Sequence, residues 1–150
     1  ASDVYKRQLQ QQIFDAVDAV YADGIRHFIC GMANGCDLYF FDAARYLRLS
    51  HPEVTIEAAI PFSGQADRWR PELRARYDYD LRQCDYQTLV QETYTPDCMM
   101  RRNRYMVDAS RILIAAFDGR PGGTARTLEY AARRKLEIIQ LPIDRAPVEL

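Results

Sequence analysis

The sequence predicts an α/β fold, a Rossmann-like three-layer sandwich built on a parallel sheet. Three observations carry that expectation. Short apolar runs alternate with longer stretches of helical periodicity along the whole chain. The run Ile112-Leu113-Ile114-Ala115-Ala116-Phe117 is apolar without a break, as expected of a strand buried on both faces and flanked by parallel neighbours. Two runs lead into Gly-rich turns that open helices, at Gly31-Met32-Ala33-Asn34-Gly35 and at Asp118-Gly119-Arg120-Pro121-Gly122-Gly123.

The elements follow in order. Ser2-Asp3-Val4-Tyr5-Lys6-Arg7-Gln8 resembles the in-frame translation of a transposon end used in sequencing libraries, so residues 1–8 are expected to be a non-native scar outside the fold. Leu9, Ile13, Val17 and Val20 recur at helical spacing, which predicts a helix to Ala22 stopped by Asp23-Gly24. Residues 26–30 read as a strand. Residues 37–49 read as a helix with Phe40, Ala44 and Leu47 on one stripe, ended by His51-Pro52. Val54 to Ile60 is a strand closed by Pro61. Gln65 to Cys84 reads as helical, with a break near Pro71, which suits the first turn of a second helix. Tyr86 to Gln91 is a short strand, Asp97 to Ala109 a helix, Arg111 to Phe117 a central strand. Thr124 to Lys135 is a helix and Glu137 to Leu141 the last strand. One domain over residues 9–142 results, with 143–150 as a loose tail. The opening helix has no strand ahead of it, whereas in this fold it normally follows one. The first strand is therefore expected to be missing, leaving one core strand without a neighbour on one side.

Composition narrows the class. At 150 residues, 48% apolar and 27% charged, the chain suits one globular domain with a real core. A net charge of −1 supplies no global field that would recruit nucleic acid or anionic membrane. No run is long enough to span a bilayer and no signal peptide is visible, so a cytoplasmic location without membrane partners is expected. Cys30, Cys36, Cys84 and Cys98 show no zinc spacing and read as reduced thiols. His27 and His51 are the only histidines, which argues against a His-based metal site or a Ser-His-Asp triad. No metal and no definite cofactor is expected.

The chemistry lies in the turns. Glycines let the backbone approach a phosphate, and the unpaired N–H groups of a helix start point at it. One such turn is readily explained as a tight strand-to-helix connection. Two at equivalent ends of parallel strands point to a nucleotide-derived ligand.

The segments resemble a known family. Gly31-Met32-Ala33-Asn34-Gly35-Cys36-Asp37-Leu38, Ile60-Pro61-Phe62 with Gln65 and Trp69, Arg101-Arg102-Asn103-Arg104-Tyr105-Met106-Val107-Asp108, and Asp118-Gly119 with Pro121-Gly122-Gly123-Thr124 are similar to the YpsA-like proteins of the SLOG superfamily, named for Smf/DprA and LOG. The resemblance covers about Gln10 to Leu141 and lacks the family's opening strand, which ends in Thr-Gly-His-Arg. It implies a fold that binds nucleotides or their derivatives, as a sensor or a processing module. Two relatives supply rival readings. LOG enzymes, which cleave the N-glycosidic bond of nucleoside monophosphates, carry Pro-Gly-Gly-x-Gly-Thr-x-x-Glu. Here Pro121, Gly122, Gly123 and Glu129 match, but Ala125 and Arg126 replace the Gly and Thr. DprA, which binds single-stranded DNA, is matched by Gly31, Ala33, Gly35 and Asp37 and by Arg102, Asn103 and Arg104.

The resulting candidate ligand residues are Gly31, Met32, Asn34, Gly35, Asp37, Gln65, Arg102, Asn103, Asp118, Gly119, Gly122, Gly123 and Thr124. Asp37 could hold a ribose hydroxyl or simply favour a helix N-terminus. Gln65 and Trp69, four apart, could hold and stack a base, although Trp69 suits the core better. Glu129 is the one catalytic candidate, since glycosidic cleavage needs a carboxylate to activate water or stabilise an oxocarbenium-like transition state. The alternative is a surface glutamate paired with Arg126 or Arg133 at helical spacing. Ala125 and Arg126 favour that alternative.

Overall fold

The computed structural model of the chain describes residues 2–143. Ten elements alternate: α1 (Ser2–Ala22), β1 (His27–Cys30), α2 (Cys36–Ser50), β2 (Thr55–Ile60), α3 (Pro71–Gln83), β3 (Tyr86–Leu89), α4 (Cys98–Asp108), β4 (Ile112–Phe117), α5 (Gly123–Arg133) and β5 (Glu137–Pro142). All strand pairings are parallel. The α/β sandwich expected from the alternation is the fold observed.

The strands form two ladders, β1-β2-β3 and β4-β5, and no ladder joins β1 to β4. Period-two alternation sorts the side chains of β2. Ile56, Ala58 and Ile60 enter the main core with Ile13, Val17 and Val20 of α1 and Phe41, Ala44 and Leu47 of α2. Glu57 points to the other face, where Tyr105 of α4 donates a hydrogen bond to it. Helices thus cover both faces. A channel of about 940 Å³ lies between the free edges of β1 and β4, walled by residues of α1, α2, α4 and α5.

Local chemistry explains the boundaries. α1 ends in a Schellman motif: the Gly24 N–H donates to Tyr21 O (2.9 Å) and the Ile25 N–H to Val20 O (3.0 Å). Gly24 has φ +104°, where a side chain would be strained. Pro71 starts α3 because it needs no N–H there, and it holds Arg70 at ψ 146°, outside the helical region.

The structure departs from the sequence expectations in several places. Residues 65–70 are turns rather than helix, with i→i+3 bonds from Gln65 to Phe62, Asp67 to Gly64 and Trp69 to Ala66. The proline that opens α3 prevents a helix from continuing through Arg70. Gln65 and Trp69 therefore do not share a helix face. Trp69 instead packs edge-on against Tyr77, with centroids 5.3 Å apart. Residues 3–8 continue α1 back to Ser2 as exposed helical turns and form no strand, which leaves their reading as a scar untouched. β4 has one parallel neighbour, β5, instead of two, and five of its six residues are only half-buried because its other flank opens on the channel. The expected tail at 143–150 lies outside the described residues from 144 onward.

Candidate functional site

The carboxyl ends of β1 and β4 bring both Gly-rich turns to the same mouth of the channel. Gly31, Asn34, Asp37, Asn103, Asp118, Gly122, Gly123 and Thr124 all line it. This is where open parallel sheets bind ligands, outside the strand ends and between diverging strands. Both helices that start here have a glycine at the N-cap and no side-chain cap: Gly35 for α2 and Gly122 for α5. Their first N–H groups therefore have no side-chain acceptor, and the residues that open the two helices, Cys36 and Asp37 on α2 and Gly123 and Thr124 on α5, line the channel. Gly122 has φ +148°, which favours glycine. A Cβ added at Gly123 would meet nothing within 4 Å. Arg120 also lines the mouth, and its N–H donates to Asp118 Oδ1 at 3.0 Å.

Below the first turn lies a buried polar knot. Arg102 is 5% exposed, and its guanidinium donates through Nη1 to Gly31 O (2.6 Å) and Ala59 O (3.3 Å). These carbonyls lie where the β1–β2 ladder runs out, so the arginine completes the sheet's hydrogen bonding. The Asp37 carboxylate accepts from the Ala33 N–H at 3.0 Å and closes the turn from beneath. Burial pushes Asp37 above the usual carboxylate range, with Arg102 opposing, and burial lowers Arg102, with Asp37 opposing. Gln65 Nε2 lies 3.4 Å from both Gly31 O and Tyr77 Oη, while its buried Oε1 has no hydrogen-bond partner among the described residues. Gly31 is crowded: a Cβ would sit 2.7 Å from Arg102 Nη1 and 2.9 Å from Asp37 Oδ2, so one of these buried side chains would have to shift.

A continuous relay ties the two turns together. Arg102 Nε donates to Asn103 Oδ1 (2.9 Å), Asn103 Nδ2 to Thr127 Oγ1 (3.0 Å), and the Thr127 hydroxyl to Gly123 O (2.9 Å). With the Arg102–Gly31 bond, the chain of contacts runs from one glycine turn to the other. The turns are thus held in one relative position although no strand ladder connects them.

The candidate residues fall into three groups. The eight channel-lining residues come together at the mouth. Gln65 and Arg102 lie beneath it and face the protein's own carbonyls, while Met32 is fully buried in the core at φ +58° and leaves only its backbone to the turn. Gly35 and Gly119, at φ +101° and +84°, shape the turns without lining the channel. Glu129 stands apart: it is exposed on α5 and absent from the channel wall that Thr124 and Thr127 form. It makes no ion pair with Arg126 or Arg133 among the described residues. Of the neighbouring arginines, Arg101 is exposed and donates to Gln91 Oε1 at 2.7 Å, and Arg104 lies over the Tyr130 ring at 5.8 Å.

Sequence reasoning missed two features. Thr127 is the joint of the relay, and its place four residues after Gly123 was the available signal, since a helical threonine hydroxyl reaches back to that carbonyl. The other is a polar cluster on the α4 face. Glu57, 8% exposed, accepts from Tyr105 Oη and from Thr88 Oγ1 (3.0 Å), and contacts His27 Nε2 at 2.8 Å. A lone acid inside the apolar run from Val54 to Ile60 was its signal.

Fold and mouth together define a Rossmann-like α/β protein with paired glycine turns at one sheet edge. The YpsA family model, described as the YspA SLOG family, matches residues 2–145, and the chain belongs to that family. It is similar to the uncharacterized SPbeta prophage-derived protein YoqJ of Bacillus subtilis, with 30% identity over 73% of this chain and 71% of that protein. It is also similar to UPF0398 proteins of Bacillus thuringiensis (24% identity, 80% of this chain, 66% of that protein) and Bacillus cereus (22% identity, 89% and 71%). The chain thus spans about 66–71% of the length of these relatives. Among the described residues, no helix is long and apolar enough to cross a membrane.

Proposed function

We propose that this chain binds a nucleotide-derived phosphate ligand across the two glycine turns, as a sensor or processing module. The observation that carries the reading is the pair of glycine-capped helix starts, without side-chain caps, facing one channel mouth. Each offers N–H groups and the positive end of a helix dipole to an anion. Membership of the SLOG superfamily makes a nucleotide the expected bearer of that anion. Asn34 and Asp118, at the same mouth, are suited to the ligand's hydroxyl and amine groups. A cytoplasmic location accompanies the reading, in keeping with four free thiols.

The hydrolase reading needs Glu129 at the ligand, and an exposed carboxylate off the channel wall does not favour it. Single-stranded DNA binding needs a basic groove, and a net charge of −1 with Asp37 and Asp118 at the mouth does not favour that either.

Titration calorimetry tests the reading with a panel of nucleoside monophosphates, diphosphates and nucleotide sugars. At least one is expected to bind, and Gly123→Val should weaken it by about tenfold or more, ~1.4 kcal/mol. The Cβ of the new side chain meets no protein atom within 4 Å, so folding should change little. No binding by any member, or equal binding by the variant, would defeat the proposal. A base-release assay on the same panel is expected to show no turnover.

A further inference from the structure

One of the two glycine-capped helix starts already carries an acid of its own. Asp37 is the second residue of α2, so its carboxylate sits at the positive end of the helix that would receive an anion. It lines the channel and is half-buried. Oδ2 accepts the Ala33 N–H at 3.0 Å, and Oδ1 has no hydrogen-bond partner among the described residues. The groups around it do little to neutralise it. Arg102 of α4 acts on it by charge alone, since the two form no ion pair among the described residues. The Arg102 guanidinium donates instead to Gly31 O, Ala59 O and Asn103 Oδ1. Cys30 of β1 and Cys36 of α2 flank the carboxylate, and burial holds both thiols above the usual thiol range, so they stay neutral. Asp118 and Arg120, after β4, face it across the mouth.

A phosphate at this helix start meets a like charge in the same turn, and two anions sharing a site do not both stay ionised without cost. On the phosphate reading of the two glycine turns, we propose that Asp37 meets the ligand's phosphate as a neutral carboxylic acid. Binding takes one proton from solvent onto Oδ1, which then donates to a phosphate oxygen, while Oδ2 keeps the Ala33 N–H. The oxygen without a partner thus becomes a donor, which only the protonated acid can supply. Burial already disfavours the charged form of Asp37, so the arriving anion adds to a bias the fold has built in. The same acid acting on a ribose hydroxyl would stay ionised and accept a hydrogen bond. The two roles have opposite signs. An acid protonated in the complex makes affinity rise as pH falls through its bound-state pKa and level off below its free-state pKa, by up to about tenfold per pH unit. An acid that accepts from the ligand makes affinity fall on acidification.

Inorganic sulfate is the probe, because it stays a dianion near neutral pH, whereas a phosphate monoester titrates there itself. Amide NMR shifts of residues 31–37 and 122–124 report binding, and the carboxyl carbon shift of Asp37 reports its protonation. Chloride at equal ionic strength is the reference. Sulfate should move both sets of amides, bind about fivefold or more tighter near pH 5 than near pH 8, and displace the Asp37 titration to higher pH. Asp37→Asn, whose amide is a donor at either pH, should bind sulfate with a change of about twofold at most over the same range. Should that variant fail to fold, the carboxyl titration of the unaltered chain decides alone. Moved amides with an Asp37 titration that is unchanged, or displaced to lower pH, would overturn the neutral-acid role and leave the phosphate reading standing. No movement in either set of amides would overturn both.

Discussion

Gly31 and Gly123 show how two glycines in equivalent turns serve different ends. Gly31 is closed in by Arg102 and Asp37, whereas Gly123 opens on free space. Gly31→Ala should therefore cost about 1–3 kcal/mol of stability, as overpacking does. Gly123→Val should leave stability almost unchanged while weakening the proposed ligand binding by about tenfold or more. Urea denaturation of both variants checks the contrast, and equal losses would refute it. Arg102 belongs with Gly31. Removing its guanidinium leaves Gly31 O and Ala59 O without their buried donor, so Arg102→Met should cost about 3 kcal/mol or more. The sequence marked both residues through the family motif, but a motif does not say which way a side chain turns. Arg102 turns inward because carbonyls at the end of the β1–β2 ladder need a donor. That requirement arises only once the strands are paired.

At the scale of elements, the sheet and α4 meet through a carboxylate. Hydrogen bonds from Tyr105, His27 and Thr88 hold Glu57 below the usual carboxylate range against the opposing effect of burial, and Tyr105 is raised by the same contact. An acid whose folded pKa is depressed adds stability above its unfolded value, near 4.5, and loses it as pH falls through the lower folded value. Tyr105→Phe should therefore destabilise the protein by about 1.5–3 kcal/mol at pH 7, the range for a hydrogen bond to a charged group. The penalty should shrink as the pH is lowered past the point where Glu57 takes up its proton. Asp37 acts with the opposite sign: its folded pKa is raised, so protonation on acidification favours the folded state. Paired urea titrations of both proteins at pH 7 and at acid pH separate the two, because only the Glu57 effect depends on Tyr105. A penalty independent of pH would show that the bond does not involve the carboxylate. Helix and strand existence was legible here from periodicity alone. The segment at 65–70 was not, because Gln65, Ala66 and Trp69 have helix-compatible spacing and only the proline at 71 prevents the helix from running through them.

For the molecule as a whole, the continuous apolar run from Ile112 to Phe117 made β4 read as fully enclosed, and the structure gives it one strand neighbour and a channel. The sequence statement concerned what the side chains demand, burial on two faces, and the structure meets it only in part: Ala115 is buried and the other five residues are half-buried. What periodicity cannot state is whether both edges are paired. This divides the stability of the molecule unevenly. The fully buried core joins α1, α2, β1 and β2, whereas the residues of β4 and β5 reach it only as half-buried neighbours. No ladder crosses the channel, so the β4–β5–α5 unit is held to the rest by helix packing, by the Arg102–Asn103–Thr127 relay and by Asp108 of α4, which accepts from Tyr130 Oη and pairs with Arg134. Local opening should follow that division. The amides of Leu113 and Ala115, though bonded to β5, should exchange at least tenfold faster than those of Phe28 and Cys30 bonded to β2, a difference of about 1.4 kcal/mol. Thr127→Val, which cuts the relay without changing volume much, should widen the gap. A ligand bridging the two glycine turns should narrow it, since it would bind only the state in which both turns are in place. Equal protection in the two ladders, unaffected by Thr127→Val, would mean that the sheets open as one unit and that the relay carries no mechanical load between them.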